Sequence, residues 1–128
     1  VLDDSYNANP LSMEMAFRSA KQIAGNHYFL VLGDMGELGR FEEKLHYETG
    51  VKAGKIGFDG LITVGPLSRF LAKGAEQGGM KNVVTCDTCE EAAEKLMKMA
   101  APGDVVLVKG SHYMHMERIP AVLRGEKA

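Results

Sequence analysis

Apolar and polar positions along the chain follow two periods that take turns. Val1–Ser5 opens as a strand and runs into a polar turn, Tyr6-Asn7-Ala8-Asn9-Pro10. Met13, Ala16, Phe17, Ala20 and Ile23 then recur at helical spacing, which predicts an amphipathic helix. Asn9 suits its N-cap, Pro10 its first position and Gly25-Asn26 its stop. A second apolar run, Tyr28–Leu32, leads into Gly33-Asp34-Met35-Gly36-Glu37-Leu38-Gly39, and a charged helix follows from about Phe41 to Ile56. The alternation continues with a strand at Leu61–Val64, a helix at Leu67–Glu76, a strand at Val83–Thr85 and a helix at Glu90–Ala100. A fifth strand, Val105–Val108, ends in Lys109-Gly110-Ser111-His112, and a last amphipathic helix covers about Met116–Leu123.

The five predicted strands are short, continuous and aliphatic, as strands buried on both faces are. Helices join them, so the connections suit right-handed crossovers in a parallel sheet. The expected fold is therefore α/β, a three-layer α/β/α Rossmann-like domain around a five-stranded, mainly parallel sheet.

Composition narrows the picture. The chain has 128 residues, enough for one domain, with 45% apolar and 25% charged residues and a net charge of -2. That balance argues against nucleic acid or an anionic membrane as a partner. No apolar run approaches the ~18 residues of a transmembrane helix. Two cysteines without a disulfide framework suit the cytoplasm. Val1 already reads as the inside of a strand, so the chain is expected to be a piece of a longer one.

Ligands of open parallel sheets bind beyond the carboxyl ends of the strands. Five loops leave those ends here, and they differ in chemistry. Asp3–Pro10 carries two carboxylates, a hydroxyl, a phenol and two carboxamides. Gly33–Gly39 carries three glycines with Asp34 and Glu37, and the fifth loop carries Lys109, Ser111 and His112. Gly65-Pro66 and Cys86-Asp87-Thr88 read as a plain turn and a cap. A site is expected where the three rich loops meet.

Plainer roles stand beside these. Asn9 reads first as a cap, whereas the adjacent Asp3 and Asp4 need a reason to sit together at a buried strand end. The glycine spacing is GxxGxxG, not a dinucleotide fingerprint, and a tight turn explains it as well as a ligand does. The GxxxxGK[ST] triphosphate loop occurs nowhere in the chain. Cys86 and Cys89 form a CxxC at a strand-to-helix junction, where a chance pair beside an Asp87 or Thr88 cap outweighs redox or metal chemistry. Glu42 and His46 stand four apart, which reads as a surface pair or a half-buried histidine before it reads as metal ligation. His112 with His115 is a weaker metal candidate still, and Met97, Met99, Met114 and Met116 are read as core filler.

The same loops carry a resemblance. Asp3-Asp4-Ser5-Tyr6-Asn7-Ala8-Asn9-Pro10 with Ser12-Met13, then Val31-Leu32-Gly33-Asp34-Met35-Gly36-Glu37-Leu38-Gly39, then His46 with Gly50, then Val106-Leu107-Val108-Lys109-Gly110-Ser111 with Met116-Glu117, resemble the Mur ligase family. Within it they are most similar to members that join D-alanyl-D-alanine to UDP-N-acetylmuramoyl-tripeptide. His112 departs from the pattern, standing where such enzymes usually carry Arg.

The resemblance implies the carboxyl-terminal domain of a three-domain ATP-dependent ligase, whose UDP-sugar and P-loop domains lie outside this chain. Such an enzyme works through an acyl phosphate, with ATP and with Mg2+ bound mainly by the central domain. The resemblance puts Asp4, Tyr6, Asn7 and Asn9 at the nucleotide, and Asp34, Lys109, Ser111 and His112 at the incoming dipeptide. It assigns no catalytic residue and no metal ligand to this domain, and implies a bacterial, cytoplasmic enzyme. It also implies a strand order of 1-5-2-3-4, with a further edge strand outside the chain. On that reading the first strand is left exposed and the isolated chain is expected to pair with itself there.

Overall fold

The computed structural model describes residues 2–3, 9–36 and 38–110. Five parallel strands form one sheet: β1 (Leu2–Asp3), β2 (Tyr28–Gly33), β3 (Gly60–Val64), β4 (Val83–Cys86) and β5 (Val105–Lys109). Their spatial order is β1-β5-β2-β3-β4, the order expected. Four helices join them: α1 (Pro10–Lys21), α2 (Glu42–Ile56), α3 (Ser68–Gln77) and α4 (Cys89–Met99). A single 3-10 turn, Gly39–Phe41, precedes α2. The expected last helix at 116–123 lies outside the described residues.

Side chains alternate across the strands and divide the core in two. Leu30, Leu32, Leu61, Val105 and Leu107 face α1, α2 and α3, where they meet Met13, Phe17, Ala53, Phe58, Leu71 and Ala75. Phe29, Val31, Ile62, Val64, Val106 and Val108 face the other way, onto Ala92, Ala93 and Leu96 of α4. This double burial is why the strands read as unbroken aliphatic runs. Fully burying one such Leu or Phe contributes ~1.5–3 kcal/mol.

Several element ends differ from expectation. α1 stops at Lys21, so Ile23 lies beyond the helix and is 41% exposed. Residues 39–41 wind as a 3-10 turn closed by the Glu42 N–H donating to the Gly39 carbonyl, and Gly39 enters it at a φ of 63°, which glycine adopts without strain. α4 begins at Cys89 because Thr88 is its N-cap, its hydroxyl accepting from Glu91 N at 3.1 Å. Met97 is 62% exposed and fills no core, since its position on α4 faces away from the sheet, whereas Met99 packs on the α4 side.

The α2–α3 pair is the closest packing in the fold. Both helices carry a G-x-x-x-G spacing, Gly50 with Gly54 and Gly74 with Gly78. A Cβ on Gly50 would lie 2.0 Å from the Leu71 carbonyl oxygen, and one on Gly74 would lie 2.0 Å from that of Tyr47. Main chain thus meets main chain along this seam, an approach that only glycine permits.

Candidate functional site

The sheet order brings three strand ends side by side. Asp3 pairs with Val108, Val108 with Val31, and Lys109 with Leu32. The loops after Asp3, Lys109 and Gly33 therefore leave three neighbouring strands, β1, β5 and β2, in a row. These are the three loops whose chemistry is richest. Asp4, Tyr6, Asn7, Glu37, Ser111, His112 and His115 lie outside the described residues. Of the expected ligand contacts, Asn9, Asp34 and Lys109 can be followed in detail.

Asn9 caps α1. Its Oδ1 accepts from Ser12 N at 2.9 Å, and Ser12 Oγ accepts from Asn9 N at 3.1 Å, a reciprocal capping box. The plain reading of Asn9 holds, and the cap fixes where the first loop enters the helix. Lys109 ends β5 and is only 1% exposed. By strand alternation it shares a face with Leu107, and its row across the sheet continues through Leu32 to Thr63. Thr63 is fully buried and its hydroxyl has no hydrogen-bond partner among the described residues.

The second loop is held from two helices. Asp34 turns its carboxylate to the start of α3, accepting from Ser68 N and Ser68 Oγ at 2.7 Å each and from Leu67 N at 3.3 Å. Leu67 has no side chain able to cap α3, so Asp34 does that work from another loop. The turn at Gly65-Pro66 is thus less plain than its sequence suggests. Met35, the next residue, is 2% exposed and donates its N–H to His46 Nε2 at 2.9 Å. His46 lies fully buried on α2, with Nδ1 2.6 Å from the Glu42 carbonyl oxygen one turn back. An acceptor at Nε2 and a carbonyl at Nδ1 together define a neutral ring protonated on Nδ1.

This arrangement corrects the reading of His46. It is neither a surface partner nor half-buried, and it meets the carbonyl of Glu42, not its carboxylate. Its role was obscured because i,i+4 spacing says nothing about which end of residue 42 the ring meets. The clue available in the sequence was a histidine on the helix face that also carries Gly50 and Ala53, both buried. Cys86 and Cys89 are not joined in a disulfide, and burial pushes the Cys86 thiol up, away from thiolate reactivity. Among the described residues, no group of three or more His, Cys, Asp or Glu side chains is arranged to hold a metal ion. No helix among them is long and apolar enough to cross a membrane.

Known proteins share this fold and a good part of this sequence. The chain is 36% identical over 121 residues to the UDP-N-acetylmuramoyl-tripeptide–D-alanyl-D-alanine ligase of Bacillus subtilis (strain 168), covering 93% of this chain and 26% of that protein. It is 33% identical over 124 residues to the Escherichia coli (strain K12) ligase of the same name, covering 97% and 26%. The chain thus spans about a quarter of the length of these curated relatives. Among solved structures, MurF from Acinetobacter baumannii superposes with a TM-score of 0.84 at 31% identity, over 96% of this chain and 27% of that one. MurF ligase from Thermotoga maritima in complex with ADP superposes at 0.80 with 27% identity, again over 96% and 27%. The model of the family described as "Mur ligase, glutamate ligase domain" matches residues 1–112, which include all five strands and all three rich loops. The chain belongs to the Mur ligase family.

Proposed function

We propose that this chain is the carboxyl-terminal, substrate-closing domain of an ATP-dependent ligase that adds D-alanyl-D-alanine to UDP-N-acetylmuramoyl-tripeptide in peptidoglycan precursor synthesis. One observation carries the reading: relatives bearing that activity in their names match over 93% and 97% of this chain. The departure of the three polar loops from neighbouring strand ends supports it.

In this reaction the tripeptide carboxylate takes the γ-phosphoryl group of ATP and releases ADP. The amine of the dipeptide then attacks the acyl carbon, phosphate leaves and an amide forms. The domain contributes orientation and electrostatics, with no nucleophile of its own. Asp4, Tyr6, Asn7 and Asn9 face the nucleotide, Asp4 at its ribose. Asn9 has Oδ1 in the α1 cap, so its carboxamide nitrogen is what it offers. Lys109, Ser111 and His112 receive the dipeptide carboxylate, which favours a cation and backbone donors. Asp34 serves this site indirectly, because its carboxylate oxygens hold α3. Mg2+ would be held mainly by the central domain and would neutralise charge on the phosphates of ATP.

The whole enzyme would be a bacterial cytoplasmic protein whose UDP-sugar and P-loop domains lie elsewhere in the same polypeptide. Within the described residues β1 has β5 as its one sheet neighbour. Self-pairing of the isolated chain through that edge is a separate question for light scattering. The alternative reading, a free-standing nucleotide- or effector-binding α/β module, predicts nucleotide binding by this chain without ligation by any longer protein. An assay of phosphate release that depends on both ATP and D-alanyl-D-alanine tests the proposal. The full-length parent releases phosphate only with both, and this chain alone releases none. Release by the pure chain above a no-enzyme blank overturns it.

A further inference from the structure

Resting on the ligase reading, we propose that His46 is a positioning residue for the reaction. It fixes the main chain of the second loop from below, without touching any ligand. A ring that is fully buried and bonded at both nitrogens is an expensive way to fill a core. An apolar side chain would fill the same volume, but would leave the Met35 N–H unpaired inside the protein. The ring supplies an acceptor at a point where no secondary structure can.

The consequences run along the loop. Asp34 is tied to the start of α3 and Met35 to the second turn of α2, so two successive residues are gripped by two different helices. Met35 and Leu38 both pack on the core, so the loop is anchored at both of these described residues. The loop leaves β2, next to the strand that ends in Lys109. A loop held this way is preorganised, so closing over substrates need not order it first. His46 is the one member of the set that acts only on main chain, and changing it removes no charge from the site.

Two substitutions separate positioning from mere filling. His46→Phe keeps an aromatic ring and removes the acceptor. His46→Gln carries an amide oxygen to roughly the Nε2 position and keeps it. The readouts are hydrogen exchange at the Met35 amide in this chain, and steady-state kinetics of the full-length ligase with ATP and D-alanyl-D-alanine. His46→Phe is expected to speed Met35 exchange by about tenfold or more relative to Leu30 in the core, the equivalent of ~1.4 kcal/mol. In the parent it is expected to lower kcat by a similar factor, and His46→Gln to recover most of both.

Equal Met35 exchange in all three proteins overturns the proposal. So does a kcat that follows the unfolding midpoint instead of the Met35 exchange rate. If His46→Phe does not fold, Met35 protection in His46→Gln decides: protection near wild type supports the clamp and its loss overturns it. A parent that ligates nothing overturns the ligase reading, and the exchange measurement still reports on the clamp itself.

Discussion

The main-chain N–H of Met35 points inward and ends on His46 Nε2, 2.9 Å away and eleven residues along the chain. This bond makes α2 part of the second loop's architecture. Since the Asp34 carboxylate accepts from the N–H and hydroxyl of Ser68 at the start of α3, the loop's geometry depends on how α2 and α3 sit against one another.

That dependence can be measured at the glycine seam. Gly50→Ala would put a methyl 2.0 Å from the Leu71 carbonyl oxygen, a main-chain atom that no rotamer change can move aside. The helices must separate, at a cost of ~1–3 kcal/mol or more. Thermal unfolding should show a midpoint lowered by at least several degrees. An unchanged midpoint would mean that the seam is looser than described.

Thr63 gives a prediction of the opposite sign. Its buried hydroxyl has no partner among the described residues, so Thr63→Val replaces an uncompensated polar atom with a methyl of similar size. The variant should be as stable as the parent chain or more so by ~1 kcal/mol. Chemical denaturation at matched slope tests this. A clear loss of stability would reveal that the hydroxyl is satisfied in solution.

Acid should weaken the fold through two named carboxylates. The Ala101 N–H, 2.8 Å from Asp104, holds that carboxyl below its ordinary range, and His27 adds to the effect. Lys52 and then Arg18 do the same for Glu14. A carboxyl lowered in the folded state binds protons more readily when unfolded. Its stabilisation is therefore complete above the unfolded pKa and is lost as pH falls through the folded one. Stability should decline from about pH 5 downward. Asp104→Asn, which keeps an acceptor for Ala101 N–H and cannot titrate, should flatten that decline in denaturation midpoints between about pH 5 and pH 2. An unaltered slope would exclude Asp104 as a contributor.

Lys109 is the test of ligand assignment. In the full-length parent, Lys109→Ala should raise the Michaelis constant for D-alanyl-D-alanine, a loss of ~2–5 kcal/mol if the pair it makes is desolvated. The constant for ATP should change little. The reverse outcome would put the fifth loop on the nucleotide.

The alternation of aliphatic runs and amphipathic segments was enough to read the α/β class, because each strand is buried on both faces and each helix on one. The three rich loops were legible because polar residues at strand ends stand out against such a background. What escaped was tertiary. Asp34 looks like any loop carboxylate until α3 is seen to lack a cap of its own. His46 looks like half of an i,i+4 pair until Met35 is seen above it. The two G-x-x-x-G spacings stood in plain view, and they carry meaning only once α2 and α3 are known to touch. Met97 sits at a spacing that suits the core, and only the three-dimensional helix shows that it faces water.

The glycine seam has a consequence for how this sequence can drift. Elsewhere in the core a substitution can be absorbed by neighbouring side chains, and compensating pairs can arise in either order. At positions 50 and 74 the nearest atoms are all main chain, a carbonyl oxygen foremost, and no rotamer change can move them. Selection for the loop's shape therefore reaches two residues that meet no ligand, and leaves them a single permitted letter. A saturation library at Gly50 and Gly74, screened for function in the parent, should return glycine alone at both, while exposed Met97 on the opposite side of the sheet accepts nearly anything.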